Sequence, residues 1–325
     1  MHASADRSRV LGTYLLVLFC WSTSWYAMKL QVGTATPALS IALRFVLAAP
    51  LMFAWVAWRR GPMRYDLRTH ALFAVMGSFM FSINFLFAYH AAMFLTSALV
   101  SVVFSLAAMV NLLLGALFLG QRVTWRAAAG ALAGAAGLVV LLWGDVAAKG
   151  LGHAPWFGLL LAMGMTLSFC FGNMASAVLQ RRGVPVASAT AWAMPWGAVC
   201  SLLFAFGSSQ PLVFDAAPRY LGSLAFLVIF GTVLGFHAYL TLLGGIGPAR
   251  ASYATVLAPI GALLVSSVFE DYQWTALSFI GIACTLAGNV LILGASRRKA
   301  VVAAAAAAAD TATPSATALP GATRP

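Results

Sequence analysis

Long apolar stretches, separated by short breaks of turn-forming and charged residues, run along most of the chain. A helix needs about 20 apolar residues to cross a bilayer, and ten stretches near this length are present. They are continuous, whereas the strands of a transmembrane β-barrel alternate apolar and polar positions. The pattern therefore predicts an all-α integral membrane protein with ten transmembrane helices. The predicted spans are 10–30, 37–58, 71–92, 97–119, 125–143, 156–179, 187–206, 220–243, 249–269 and 274–294.

Composition agrees with lipid as the main solvent of this chain. Of its 325 residues, 62% are hydrophobic and 8% are charged, with a mean hydropathy of +0.93. About 25% of a typical soluble domain is charged, so this chain cannot cover a water-exposed surface, which excludes a soluble globular enzyme. The four cysteines lie far apart inside apolar stretches, and neither a metal pair nor a redox pair is predicted. They are Cys20, Cys170, Cys200 and Cys284.

Basic residues determine the predicted orientation. With the amino terminus in the cytoplasm and ten crossings, 15 of the 19 Lys and Arg residues fall on the inside and three on the outside, and only Arg44 lies away from the ends of a span. This asymmetry follows the positive-inside rule, so the net charge of +12 reflects topology and not nucleic-acid binding. The abundance of Arg and Ala favours a bacterial source. We therefore expect a multi-pass protein of a bacterial inner membrane with both termini cytoplasmic.

The two halves of the chain resemble each other. Gln121 and Glu270 are 149 residues apart, and Gly130 and Gly281 are 151 apart, in matching contexts. Because each half contains five helices, an odd number, the second copy must be inverted, as in many secondary transporters. The predicted parts are a cytoplasmic stub at 1–9, five-helix repeats at 10–143 and 156–294, an external linker at 144–155, and a disordered cytoplasmic tail at 295–325.

Short motifs in helices one, two and nine carry a family resemblance. They are Trp21-Ser22-Thr23-Ser24, Ala42-Leu43-Arg44-Phe45, Leu257-Ala258-Pro259 with Phe269-Glu270, and the spaced glycines of helices five and ten. Over about residues 10–295 the chain resembles EamA-type exporters of the drug/metabolite transporter superfamily. The resemblance implies alternating access around a cavity lined by helices one, three, four, six, eight and nine. Where that family usually has Glu after helix four, this chain has Gln121.

Polar side chains inside spans are the candidate functional residues, because exposing them to hydrocarbon is costly. Arg44 is the strongest candidate: it either holds a substrate carboxylate or bonds helix-end carbonyls. Asn84 and Asn173 lie in helices that line the cavity according to the resemblance, and they either contact substrate or join helices. Asn111 and Asn289 are expected to join helices.

Titratable residues within the spans are few. No Asp or Glu lies in a predicted span, which leaves no obvious buried counter-ion for Arg44 and no proton-relay carboxylate. A histidine changes charge near neutral pH, and His237 lies deeper in the bundle than His90. If transport is coupled to protons, the candidates are these histidines and the loop acids Glu270 and Asp271.

Polar and aromatic residues share one face of helix one. Trp21, Ser24 and Trp25 stack because side chains at i, i+3 and i+4 lie on the same face. Such a stripe suits either the wall of a cavity for an amphipathic molecule or an interfacial aromatic belt, and Tyr253 in helix nine raises the same alternatives. Lys29 ends helix one, and we expect its long side chain to reach toward the outer water.

These observations predict a secondary transporter, not an enzyme, that exports small amphipathic metabolites such as amino acids, or toxic organic molecules. The partners are a small-molecule substrate and the lipid bilayer, the protein is a monomer or homodimer, and no cofactor or metal is expected. The alternatives are an anion, nucleotide-sugar or phosphate-ester exchanger of the same fold, and a polytopic membrane enzyme or receptor. The predicted substrate-binding residues are Ser24, Trp25, Arg44, Asn84, Asn173, His237 and Tyr253.

Overall fold

The described part of the chain folds into helices and contains no strand. The structure is a computed structural model. It describes residues 2–33, 35–119, 123–149, 155–208, 211–246, 253–272, 274–291 and 294. The helices are α1 (His2–Lys29), α2 (Pro37–Trp58), α3 (Leu67–Phe94), α4 (Ser97–Ser105 and Ala107–Leu119), α5 (Trp125–Lys149), α6 (Pro155–Arg181), α7 (Val186–Gly207), α8 (Pro218–Ile246), α9 (Tyr253–Phe269) and α10 (Ala276–Leu291).

Two of these helices contain a stretch of π-helix. In α3 it covers Phe79–Ile83, and in α8 it covers Leu227–Leu234. A π-helical turn inserts an extra residue into the α-helical ladder and is frequent at functional sites. Both stretches lie near the middle of their helix, at matching positions in the two halves of the chain.

The protein is a multi-pass membrane protein. Within the described ranges, seven helices are long and apolar enough to cross a bilayer. Three further apolar helices are shorter, at Trp125–Leu141, Leu257–Phe269 and Ala276–Leu291. The all-helical fold is thus confirmed, while ten crossings stay a prediction. The first predicted span, 10–30, lies in α1, and this helix begins earlier, at His2.

Local chemistry explains where several helices begin and turn. The carboxylate of Asp66 accepts a hydrogen bond from a backbone N–H in the first turn of α3 at 3.2 Å, and Asp215 accepts one just before α8 at 2.8 Å. A hydrogen bond from the Thr69 side chain lowers the pKa of Asp66 below its usual value. Gly33 after α1 and Gly183 after α6 have φ of +83° and +79°, a conformation that glycine adopts without strain.

Contacts between the helices follow a regular pattern. Among helices that are not neighbours in the chain, α1 packs chiefly against α8 and α9, α2 against α7 and α8, α3 against α6 and α7, and α4 against α6 and α9. The first five helices can be exchanged with the last five in these pairs, so that α1 becomes α6 and α9 becomes α4. The same set of pairs then results.

Glycines bring α5 and α10 into backbone contact. A Cβ built on Gly137 would lie 2.5 Å from the carbonyl oxygen of Gly281, and one built on Gly281 would lie 2.6 Å from that of Gly137. Further along, a Cβ on Gly288 would lie 2.4 Å from the carbonyl oxygen of Gly130 and 2.6 Å from the backbone nitrogen of Gly134. These helices can approach so closely because the contact positions are glycines, which have no side chain.

Candidate functional site

Arg44 of α2 is buried among neutral groups. Its side chain is only 4% exposed, and its Nε donates a hydrogen bond to Thr232 Oγ1 at 2.9 Å. The guanidinium carbon lies 4.6 Å from the ring centre of Phe85 and 5.4 Å from that of Phe45. Within the described ranges no carboxylate forms a salt bridge with it. A guanidinium has five N–H donors in a planar fork that matches a carboxylate, so this is a candidate anion-binding position.

Arg44 contacts both helices that contain π-helical stretches. Thr232 belongs to the stretch in α8, and its hydroxyl also donates to the carbonyl oxygen of Leu227, five residues earlier, at 2.9 Å. Phe85 follows the stretch in α3 directly after Asn84. One cationic side chain of α2 thus contacts the π-helical stretch of α8 and a residue just beyond the stretch of α3.

Ser24 of α1 reaches the same region through Gly231 of α8. A Cβ built on Gly231 would lie 2.6 Å from Ser24 Oγ and 3.3 Å from a terminal guanidinium nitrogen of Arg44. Ser24 Oγ donates to the carbonyl oxygen of Cys20 within its own helix. Two of the predicted site residues therefore meet beside a glycine that leaves room for both.

Asn84 of α3 carries an unsatisfied buried oxygen. Its Nδ2 donates to the carbonyl oxygen of Met80 at 3.2 Å, while its Oδ1 has no hydrogen-bond partner among the described residues. Leaving such a group buried and unpaired costs about 1–3 kcal/mol. A ligand that donates a hydrogen bond there would recover part of that cost.

The aromatic residues of α1 contact two different neighbours. Trp25 packs edge-to-face on Phe104 of α4, with ring centres 5.3 Å apart, and Phe104 packs in the same way on Phe169 of α6 at 4.7 Å. Trp21 instead lies 5.0 Å from the ring centre of Tyr239 in α8. The predicted stripe is thus divided between an aromatic cluster with α4 and α6 and a contact with α8.

The remaining predicted site residues have other surroundings. Asn173 of α6 donates to Asn111 of α4 at 3.4 Å, which joins two helices. The ring of His237 lies against that of Trp55 in α2, with centres 4.0 Å apart. Tyr253 is the first residue of α9, and its side chain falls outside the described part of the structure. In the same described part, no group of three His, Cys, Asp or Glu residues could hold a metal ion.

The EamA-like transporter family model matches residues 10–143 and 156–294. The chain belongs to the EamA-like transporter family. The resemblance predicted from its motifs is confirmed, and the family indicates a transporter and not an enzyme.

Relatives of this EamA-like transporter span nearly the whole chain. A "Probable amino-acid metabolite efflux pump" of Escherichia coli K12 is 24% identical over 88% of this chain and 96% of its own length. An uncharacterised transporter of Archaeoglobus fulgidus is 26% identical over 86% and 96%. The inner membrane transporter YedA of Escherichia coli K12 is 24% identical over 85% and 90%. One crystal structure has the same fold, with a TM-score of 0.64 and 21% identity over 90% of this chain and 98% of that chain.

One contact of this EamA-like transporter is not visible in the sequence. The Lys29 side chain is 31% exposed, and its Nζ forms an ion pair with Glu270 Oε1 at 2.9 Å. The hydropathy pattern places Glu270 in a loop and does not reveal the pair, since the two residues are distant in sequence. It also missed Gly231 and Thr232, although a small residue followed by a hydroxyl in a span is a visible signal.

Proposed function

We propose that this EamA-like transporter is a secondary exporter of small amphipathic metabolites, amino acids or related compounds, or of toxic organic molecules. It would alternate access between two inverted five-helix repeats, with ten crossings and both termini in the cytoplasm of a bacterium. The observation that carries the proposal is Arg44, a buried cation without a carboxylate partner among the described residues, placed between the irregular segments of α3 and α8.

Repeated backbone features support the inverted arrangement. The π-helical stretches begin at Phe79 and Leu227, which are 148 residues apart, and the left-handed turns at Gly33 and Gly183 are 150 apart. The helix contacts are unchanged when each helix is replaced by the one five positions away. Two copies of one five-helix unit, packed about a two-fold axis, would give this pattern, and substrate sites of such transporters lie between the copies.

Chemistry around Arg44 favours a neutral or zwitterionic organic substrate. One guanidinium can hold one carboxylate with two parallel hydrogen bonds, while a phosphate ester would need several cations. Ser24 lies beside it, the unsatisfied Oδ1 of Asn84 would accept a hydrogen bond, and the Trp25 ring offers an apolar wall. The name of the amino-acid metabolite pump relative agrees with this class. Asn173, His237 and Tyr253 stay predicted substrate contacts.

A transport measurement tests the proposal. We would screen an overexpressing strain for growth against amino acids, their analogues and organic toxins, and then follow the radiolabelled hits across proteoliposomes. Arg44→Gln should lower the transport of carboxylated solutes by roughly tenfold or more, since a charge-assisted hydrogen bond contributes about 1.5–3 kcal/mol. The matched control is Arg219→Gln, which removes an exposed cation at the start of α8.

Each outcome of that measurement has a clear meaning. Normal transport of carboxylated solutes by Arg44→Gln would overturn the role of Arg44. Exchange of phosphate esters instead of amphipathic solutes would contradict the substrate class. Catalytic turnover in detergent, without any flux across vesicles, would contradict the transporter itself.

A further inference from the structure

Glu270 is a buried carboxylate at the end of three helices. Its side chain is 6% exposed, and its ion pair with Lys29 joins the residue after α9 to the last residue of α1. Lys29 Nζ also donates to the carbonyl oxygen of Leu95, just before α4, at 3.2 Å. The Lys29 side chain is 31% exposed, so water reaches the pair from one side.

The same carboxylate binds the first residue of α4. The backbone N–H of Ser97 lies 3.1 Å from Glu270 Oε2, and the Ser97 hydroxyl donates to that oxygen as well. Ser266 in the last turn of α9 adds a further hydrogen bond at 2.6 Å. A negative charge at a helix amino terminus is favourable. One side chain therefore holds α1, α4 and α9 together.

The ring contact beside this network closes the same end of the bundle. Tyr26 of α1 stacks on Phe269 of α9 with ring centres 5.0 Å apart and planes 26° from parallel. Together the two contacts couple the ends of α1 and α9 by both charge and stacking.

The positions that match this ion pair in the other half of the sequence carry no charge. Gly33 and Gly183 are 150 residues apart, and the same spacing matches Lys29 with Leu179. A spacing of 149 residues matches Gln121 with Glu270. Neither counterpart can be charged, although Gln121 itself lies outside the described residues. This ion pair therefore has no equivalent at the matching positions of the other half.

We propose that Lys29 and Glu270 are positioning residues of the transport cycle, and that their ion pair must break before the Lys29 end of the bundle opens. This inference rests on the proposed alternating access. In that cycle each end opens in turn, and the contacts that close it must separate. A pair that water can reach on one side can be solvated when α1 moves away from α4 and α9.

A thiol placed below the pair would report the opening. Ser101 lies one helical turn after Ser97 in α4 and is 1% exposed. In a chain whose four native cysteines are replaced, Ser101→Cys is alkylated with a membrane-impermeant maleimide added to intact cells. Lys29→Gln and Glu270→Gln should each raise the alkylation rate by about tenfold, because removing one partner leaves the other charge unpaired. The double variant should show no further increase.

Two controls separate opening from loss of structure. Lys29→Arg keeps the ion pair and should leave the alkylation rate near that of the parent chain. Asp271→Asn removes only the neighbouring charge and should also leave that rate near the parent's. An increase with Glu270→Gln alone, and none with Lys29→Gln, would reduce Glu270 to a cap of α4 and overturn the proposal.

Transport by the parent chain is measured in parallel with the amino-acid panel. A parent that transports, with variants whose alkylation rate is unchanged, contradicts the ion-pair proposal only. A parent that carries no solute contradicts the proposed function.

Discussion

The two halves of this transporter have similar backbones but different polar side chains. Both contain a π-helical stretch in the middle of their third helix, and in both a left-handed glycine follows the first helix. In α8 that stretch carries Thr232, which accepts a hydrogen bond from Arg44. In α3 it is followed by Asn84, whose Oδ1 has no partner among the described residues.

This difference separates what the fold requires from what the site requires. Under the proposed repeat, close helix contacts and irregular turns recur because both halves must pack in the same way. A substrate is not symmetric, so the single site proposed between the halves needs different groups on its two sides. The comparison therefore predicts that backbone-contact variants act alike in the two halves, and that polar variants do not.

The largest effect is expected at the glycine contact of α5 and α10. Gly137→Leu and Gly281→Leu each place a side chain where a Cβ would already lie within 2.7 Å of the partner backbone. Their cost should reach or exceed the about 1–3 kcal/mol of ordinary overpacking. Fluorescence-detected size-exclusion chromatography should show loss of the folded peak for both. The control is Gly222→Leu in α8, where a Cβ would meet nothing within 4 Å. Loss in only one of the two variants would break the comparison.

A moderate effect is expected for Thr232→Val. This change removes the acceptor of the Arg44 Nε hydrogen bond, and bonds to charged groups are worth about 1.5–3 kcal/mol. The melting temperature in detergent should fall clearly. Thr166→Val is the matched control, because the Thr166 hydroxyl is buried but donates only to backbone carbonyl oxygens. Equal shifts for the two variants would mean that the contact with Arg44 adds no stability.

A smaller, pH-dependent effect is expected at the Lys29–Glu270 ion pair. Burial raises the pKa of Glu270, but hydrogen bonds from Ser266, Ser97 and Lys29 outweigh it and hold that pKa below the usual 4.5. Ionised Glu270 therefore contributes stability above about pH 4.5 that is lost as pH falls through the lowered pKa. The difference in melting temperature between the parent and Glu270→Gln should be full at pH 7 and shrink below pH 4.5. A difference that grows on acidification would contradict this.

The smallest effect is expected between Asn173 and Asn111. Their hydrogen bond is 3.4 Å long, and interhelical bonds in membranes average about 0.6 kcal/mol. A double-mutant cycle with Asn173→Leu and Asn111→Leu should give a coupling energy of this size, measured by reversible unfolding in mixed micelles. A coupling above about 2 kcal/mol would exceed the largest values for such bonds and would make Asn173 part of the structural core, not a substrate contact.

The sequence could predict the helices but not their irregularities. Apolar length identifies seven spans directly, and Arg44 stands out as the only Lys or Arg away from the ends of a predicted span. One inserted residue in a π-helical turn leaves the hydropathy pattern almost unchanged, so the stretch that holds Thr232 could not be found. The partner of Lys29 is equally hidden, because Glu270 follows another helix and only the packing of α1 against α9 brings them together.

The orientation of two equivalent loops tests the central claim, that the halves are inverted copies, most directly. Arg64 precedes α3 and Val213 precedes α8, 149 residues later, and both side chains are exposed. In a cysteine-free chain, a membrane-impermeant maleimide applied to intact cells should label Val213→Cys and not Arg64→Cys. After permeabilisation it should label both. Labelling of both positions from the same side of the intact membrane would show parallel halves and contradict the inverted repeat.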